Sequence, residues 1–266
     1  RVMRLRPMPV VMLSTLTAQG AEVSLAALEL GAFDCFDKTR LSAAPGTTMG
    51  PELAELVRAA SRARRQMAAM KSIAPANNGT KNYQPRPGSM IAIGSSTGGV
   101  EALLALLADF PENCPPTVIV QHMPATFTPS FAARLDRLNK PKVMEARAGA
   151  PLMVGHVYLA PGGEKHMEIA GTTERSHCRL VEGPKVNGHR PSVDRLFHSV
   201  ARVAGDNAVG AILTGMGNDG AAGLAAMRAT GSMTIGQDAA TSIVYGMPAV
   251  AFETGAVVQQ LPLGKI

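Results

Sequence analysis

Short apolar runs alternate with stretches of helical spacing along residues 90–258, and few folds accept that pattern. Met90–Gly94, Thr117–Gln121 and Val209–Leu213 lack polar alternation, as strands buried on both faces do, so they are predicted strands. Gly98–Ala108, Thr128–Leu138, Ser192–Ala204 and Asp219–Ala229 have helical spacing. Thr128 is the expected N-cap of its helix, with Pro129 in the first position. Lys142–Ala146, His156–Ala160, Met233–Ile235 and Ala256–Val258 are further predicted strands, and His166–Ile169 is expected to pair with Cys178–Val181 as a hairpin. Such alternation implies an α/β fold, a doubly wound and mostly parallel sheet with both faces covered.

Residues 72–89 have the composition of a linker, with Pro75, Asn77, Asn78, Gly79, Asn82, Pro85, Pro87 and Gly88. The chain therefore divides into residues 1–71, the linker, and a domain at 90–266. In the first part Val10–Leu13 and Ala32–Phe36 read as strands, Ala21–Leu30 as a helix stopped by Gly31, and residues 41–50 as a loop. Pro51–Met70 reads as an amphipathic helix, with Leu53, Leu56, Val57 and Ala60 on one face and arginines on the other. The chain opens on Arg1 inside what reads as a helix end, so a fragment of a longer protein is expected.

Charge placement narrows the function. Residues 1–90 hold 12 basic and six acidic side chains, so the net charge of +6 lies there and the rest of the chain is neutral. A nucleic-acid binder would carry its basic stripe on the main domain, and the absence of Trp removes stacking platforms, so no nucleic-acid partner is expected. No apolar run approaches the length of a membrane span, so no membrane insertion is expected. Cys35, Cys114 and Cys178 are scattered without a CxxC pair, which predicts a reducing, cytoplasmic setting and no metal site.

Open parallel sheets bind ligands outside the carboxyl ends of their strands. Ser95-Ser96-Thr97-Gly98-Gly99 follows the first strong strand, His122-Met123-Pro124 the second, and Thr214-Gly215-Met216-Gly217-Asn218-Asp219-Gly220 the third. A serine, a histidine and an aspartate thus leave three strands at one edge. They match the parts of a hydrolase in which Ser96 is the nucleophile, His122 the base and Asp219 the group that orients it. Ser96 is preferred to Ser95 because it lies nearer the N–H groups of the helix start. Thr97 and Met216 are the expected backbone donors of an oxyanion hole. The chain order Ser, His, Asp and the run GSSTGG set it apart from the α/β-hydrolases and their GxSxG elbow.

Each part also has a plainer reading. GSSTGG is equally an anion-binding turn, although no P-loop lysine follows it. Asp219 alone is an N-cap, His122 alone a structural histidine, and the glycines of the third loop ordinary turn residues.

GSSTGG, QHMP, GHVYLAPGG, HRPSVDRLF, ILTGMGNDGAAGL and GQDAATSIVYGMP, in this order, resemble the catalytic domain of the chemotaxis protein-glutamate methylesterases, the CheB family. The resemblance covers residues 90 to about 264. It implies hydrolysis of glutamate methyl esters, and deamidation of glutamines, on the cytoplasmic helices of methyl-accepting chemoreceptors. By the same motifs it implies Ser96, His122 and Asp219 as the triad and Met216 as an oxyanion donor, with no cofactor. The three triad side chains are then expected in one hydrogen-bonded chain, with contacts of roughly 2.6–3.2 Å. His156, His166, His177, His189 and His198 are expected to be structural or peripheral. Arg190, in a segment that recurs near the family's site, is a candidate contact to acidic receptor helices. The loop Gly162-Gly163-Glu164-Lys165-His166 is about one residue longer than the resemblance leads one to expect.

Residues 1–40 resemble the second half of the receiver domain of a response regulator, a partial (βα)5 unit. Ser14 matches the hydroxyl that contacts a phosphoryl group, and Lys38 the lysine that pairs with the phosphorylated aspartate. Thr39 stands where receivers carry proline. The resemblance implies two-component phosphorelay, with a sensor histidine kinase as partner of an intact receiver. The phosphoacceptor half is missing, so the chain as given is not expected to switch through that site. A monomer is expected. The other readings are a non-catalytic output module, an anion- or nucleotide-binding domain, and a small-ester esterase.

Overall fold

The computed structural model describes residues 8–14, 17–38, 51–63 and 83–266. The expected loop at 41–50, most of the linker and residues 64–70 of the helix expected to reach Met70 lie outside the described residues. The N-terminal part holds β1 (Val11–Ser14), α1 (Ala18–Glu29), β2 (Asp34–Asp37) and α2 (Pro51–Arg62). β1 and β2 pair in parallel, with Ser14 opposite Asp37. Thr17 caps α1 by accepting from Gly20 N at 3.0 Å.

The main domain then runs β3 (Met90–Ser95), α3 (Gly99–Ala108), β4 (Thr117–Gln121), α4 (Thr128–Leu138), β5 (Lys142–Glu145), β6 (His156–Leu159), β7 (Lys165–Thr172) and β8 (Arg175–Glu182). It continues with α5 (Val193–Ala204), β9 (Ala208–Ile212), α6 (Ala221–Ala229), β10 (Met233–Gln237), α7 (Met247–Glu253) and β11 (Gln259–Leu261). Seven strands form one sheet in the order β11-β10-β9-β3-β4-β6-β5, and every neighbouring pair is parallel. β7 and β8 form the expected hairpin, longer at both ends than the apolar residues alone suggest.

Alternate residues of each strand supply the two cores. Ile93, Ile119, Val157 and Leu159 pack with α3, α4 and α1. Ala92, Val118, Val120 and Tyr158 pack with α5, α6, α7 and the hairpin. This is the doubly wound arrangement read from the alternation of strands and helices.

Three local expectations need correction. Thr128 is not a cap: Phe127 holds that position, and the Thr128 hydroxyl donates to Glu145 Oε1 at 2.6 Å across to β5. Ala256–Val258 is not a strand. Ala256 N donates to Ala251 O to finish α7, and β11 begins at Gln259. Helix α7 was not anticipated, although Pro248 in its first turn is a start signal.

Helix α5 is held by both packing and charge. Leu196, Phe197 and Val200 are fully buried, and Glu168 of β7 pairs with Arg195 of the helix and Arg179 of β8. Substituting Phe197→Ala should lower unfolding free energy by about 3–5 kcal/mol, read from the midpoint of urea denaturation.

Candidate active site

β3, β4 and β9 end at one edge: Ser95 lies opposite Gln121, and Gly94 opposite Ile212. Strand order reverses at β3, which has β4 on one side and β9 on the other. The crevice at such a reversal is where open parallel sheets bind ligands. Ser96, His122 and the loop 214–219 all emerge there.

The two serines after β3 have different surroundings. Ser95 is fully buried and donates its hydroxyl to Gln121 Oε1 at 2.7 Å. Ser96 is half-buried, lines the crevice, and among the described residues its hydroxyl has no hydrogen-bond partner. The Gln121 amide donates to the carbonyls of both Ser96 and His122, at 3.0 Å each. It thereby ties the end of β3 to the end of β4. The turn into α3 passes through Gly98 at φ +79°, where a Cβ would fall 2.7 Å from Ile243 Cβ.

Loop 214–219 closes over this turn. Ser96 N donates to Thr214 O at 3.0 Å, and Thr214 Oγ1 donates to Thr97 O at 2.9 Å. A Cβ at Gly215 would lie 2.9 Å from Ser96 Cβ, so only glycine lets the loop approach so closely. Among the described residues, the N–H groups of Thr97 and Met216 donate to no carbonyl.

At the end of that loop Asp219 is fully buried, and His122 Nε2 lies 2.8 Å from its Oδ2. Asp219 does not cap its own helix, since Gly220 is the N-cap of α6. It reaches the start of α5 instead. Val193 N donates to Oδ2 at 2.7 Å, and Ser192 Oγ and Asp194 N donate to Oδ1 at 2.8 and 3.2 Å. Asn187 adds a bond to Oδ1 at 3.2 Å. Free N–H groups at a helix start favour a negative charge.

The expected three-membered chain is complete only at its His122–Asp219 link. Ser96 makes no hydrogen bond to His122, and His122 Nδ1 is buried without a partner among the described residues. With Nε2 committed to Asp219, Nδ1 is the atom left to face a serine. Contacts of this type commonly run long before substrate arrives.

The structure decides between two alternatives left open for one neighbouring residue and overturns the expectation for another. His189 is not peripheral: its ring stacks on His122 with centroids 3.7 Å apart and planes 5° from parallel. Arg190 is not poised for an acidic partner, because it donates to the carbonyls of Gly163 and Gly183 and pairs with Glu164. The motif HRPSVDRLF contained the signal for the first, since it delivers His189, Ser192 and the start of α5 together. His122, His189 and Asp219 also bring possible metal-ligand atoms within 4.8 Å of one another. The two rings are face to face, so their in-plane lone pairs run parallel. One ion at about 2.0–2.1 Å from each nitrogen cannot lie in both planes.

The N-terminal part forms one wall of the crevice. Thr97 Oγ1 donates to Asp34 Oδ2 at 2.6 Å, and Leu28 and Phe33 line the space shared with Ser96 and His122. Burial pushes the Asp34 carboxyl above its ordinary range, against the hydrogen bonds from Thr97 and Cys35 N.

The CheB methylesterase family model matches residues 91–266, two thirds of the chain and all of the site except Asp34 and its neighbours. The chain belongs to the CheB methylesterase family. A Rhizobium johnstonii relative named protein-glutamate methylesterase/protein-glutamine glutaminase 1 is 57% identical over 275 residues, which cover 100% of this chain and 75% of the relative. A Salmonella typhimurium protein-glutamate methylesterase/protein-glutamine glutaminase is 49% identical over 267 residues, covering 100% of this chain and 76% of the relative. The crystal structure of the Thermotoga maritima CheB methylesterase catalytic domain matches with a TM-score of 0.65 at 37% identity. It covers 67% of this chain and 94% of that one. The resemblance read from the sequence motifs, and the doubly wound catalytic-domain fold read from the alternation of strands and helices, are borne out.

In this CheB family member the charge states follow from the contacts. Burial pushes the Asp219 carboxyl up, but the hydrogen bond and charge of His122, with the Val193 N–H and Ser192 hydroxyl, outweigh it and hold it at about 2. An ionised carboxylate only accepts, so Nε2 of His122 carries a proton, and in the neutral ring Nδ1 holds the lone pair. A carboxyl held below its ordinary 3.8 stabilises the fold above that pH and loses the contribution as pH falls toward 2. Asp219→Asn should therefore flatten the acid limb of the stability curve between about pH 4 and pH 2 by about 2 kcal/mol, measured by urea denaturation at stepped pH.

Proposed function

We propose that the chain hydrolyses glutamate methyl esters, and deamidates glutamines, on the cytoplasmic helices of chemoreceptors, through Ser96, His122 and Asp219. The observation that carries this is the His122 ring. One nitrogen is bound to a buried, ionised aspartate, the other has no partner among the described residues, and the residue lines the same crevice as Ser96.

Both reactions are acyl transfers. Ser96 Oγ attacks the side-chain carbonyl and passes its proton to His122 Nδ1. The resulting imidazolium is stabilised by Asp219, whose own charge is held by the start of α5. The N–H groups of Thr97 and Met216 receive the tetrahedral oxyanion; one donor of this kind is typically worth about 10²–10³ in rate. The proton on His122 goes to the leaving group as methanol or ammonia departs. Water, deprotonated by the same nitrogen, then releases glutamate and frees Ser96. Every step uses groups of this one chain, which favours action as a monomer.

Residues 1–71 are read as the later part of a receiver domain, residues 72–89 as the linker, and 90–266 as the catalytic domain. Ser14 closes β1 and Lys38 follows β2, and the parallel pairing of those strands supports placing both at one carboxyl edge. In a longer chain with an intact receiver, that edge would answer to a sensor histidine kinase. Among the described residues no helix is long and apolar enough to cross a membrane. Action in the cytoplasm, where receptor signalling helices lie, is part of this proposal.

Ser96→Ala should reduce methanol release from methylated receptor by roughly 10⁴–10⁶-fold while leaving the thermal melt unchanged. Release that continued at the wild-type rate would remove Ser96 from the mechanism.

A further inference from the structure

The segment 183–192, between β8 and α5, supplies none of the three catalytic side chains, yet it is built against two of them. Val186 and His189 exchange two backbone hydrogen bonds, 3.0 and 2.9 Å, that close the segment into a tight loop. On one side of that loop Asn187 donates to the carboxylates of Asp194 and Asp219, at 2.7 and 3.2 Å. Arg190 ties the other side down to Gly163 and Gly183. The result is that His189 is presented flat against one face of His122.

An imidazole hydrogen-bonded through Nε2 alone can still swing about that bond. Such a swing would carry Nδ1 out of the plane in which a serine hydroxyl must meet it. A flat neighbour whose ring centroid lies 3.7 Å away, in a nearly parallel plane, restricts that swing. The neighbour must also stay uncharged when His122 takes up its proton. Burial and the charge of His122 hold His189 down at about 4, against the opposing pull of Asp219, so it remains a neutral ring. A neutral aromatic face attracts a cation lying over it.

We propose that His189 is a positioning residue, whose ring face fixes the plane of His122 and supports its protonated form during transfer from Ser96. The proposal rests on His122 being the base. It assigns His189 no contact with substrate, so it concerns turnover and not binding.

Four variants test it, with two readouts. One is kcat and KM for methanol release from methylated receptor. The other is the rate at which a fluorophosphonate ester labels Ser96, which reads serine activation without receptor. His189→Ala should lower both kcat and labelling by about tenfold or more, with KM within about twofold, because misalignment of a reacting group by about 1 Å can cost about 10² in rate. His189→Phe, which keeps a flat aromatic face and has no ring nitrogen, should recover most of the loss. His189→Leu, which fills space without a flat ring, should not. Leu restoring as much as Phe would overturn the proposal by showing a space-filling role, as would an Ala variant with wild-type kcat. His122→Ala separates the two claims. Should it keep full activity, the triad reading itself fails; should it be inactive while His189→Ala is unaffected, only the role of His189 fails.

Discussion

The start of α5 and the carboxylate of Asp219 hold one another in place. Asp219 is fully buried, and a lone buried carboxylate is costly unless its charge is met. Here the Val193 and Asp194 N–H groups, the Ser192 hydroxyl, Asn187 and His122 all meet it. The same bonds satisfy N–H groups at the first turn of α5 that would otherwise be orphaned in the interior. One ion thus completes a helix, fixes the tautomer of His122, and joins loop 214–219 to the start of α5.

That arrangement works only because the strands bring the parts to one rim. β3, β4 and β9 are parallel and adjacent, so their carboxyl ends are level, and the fold reverses direction where they meet. Gln121 then fixes the spacing between Ser96 and His122 from beneath, through one buried amide. Gly215 allows the third loop to come within van der Waals contact of the serine. The crevice is polar at its floor and walled on one side by the apolar residues of α1 and its following turn.

Much of this was legible in the residues. Ile91–Ile93 and Val118–Val120 read as buried strands because nothing polar interrupts them, and the structure pairs them in parallel. Ser96, His122 and Asp219 stand out in the sequence because each follows such a strand. The local role given to Asp219 in its plainer reading was wrong. An aspartate just before a helix normally caps that helix, but Gly220 at φ +98° turns the chain and frees the side chain to reach α5. His189 lies outside the strand ends and has no periodic signature that would mark it. Its position depends on a loop whose bonds run to Gly163 and Asp219, both distant in sequence.

By itself the sequence determined the alternation of strand and helix, the edge where chemistry would gather, and the residue types gathered there. These depend on local periodicity and on where each apolar run stops. Only the tertiary structure decided which nitrogen of His122 faces Asp219, which helix start neutralises that carboxylate, and which second ring lies against the first. Those are matters of distance between segments that share no local pattern, and a chain's sequence carries them only through the packing that brings the segments together.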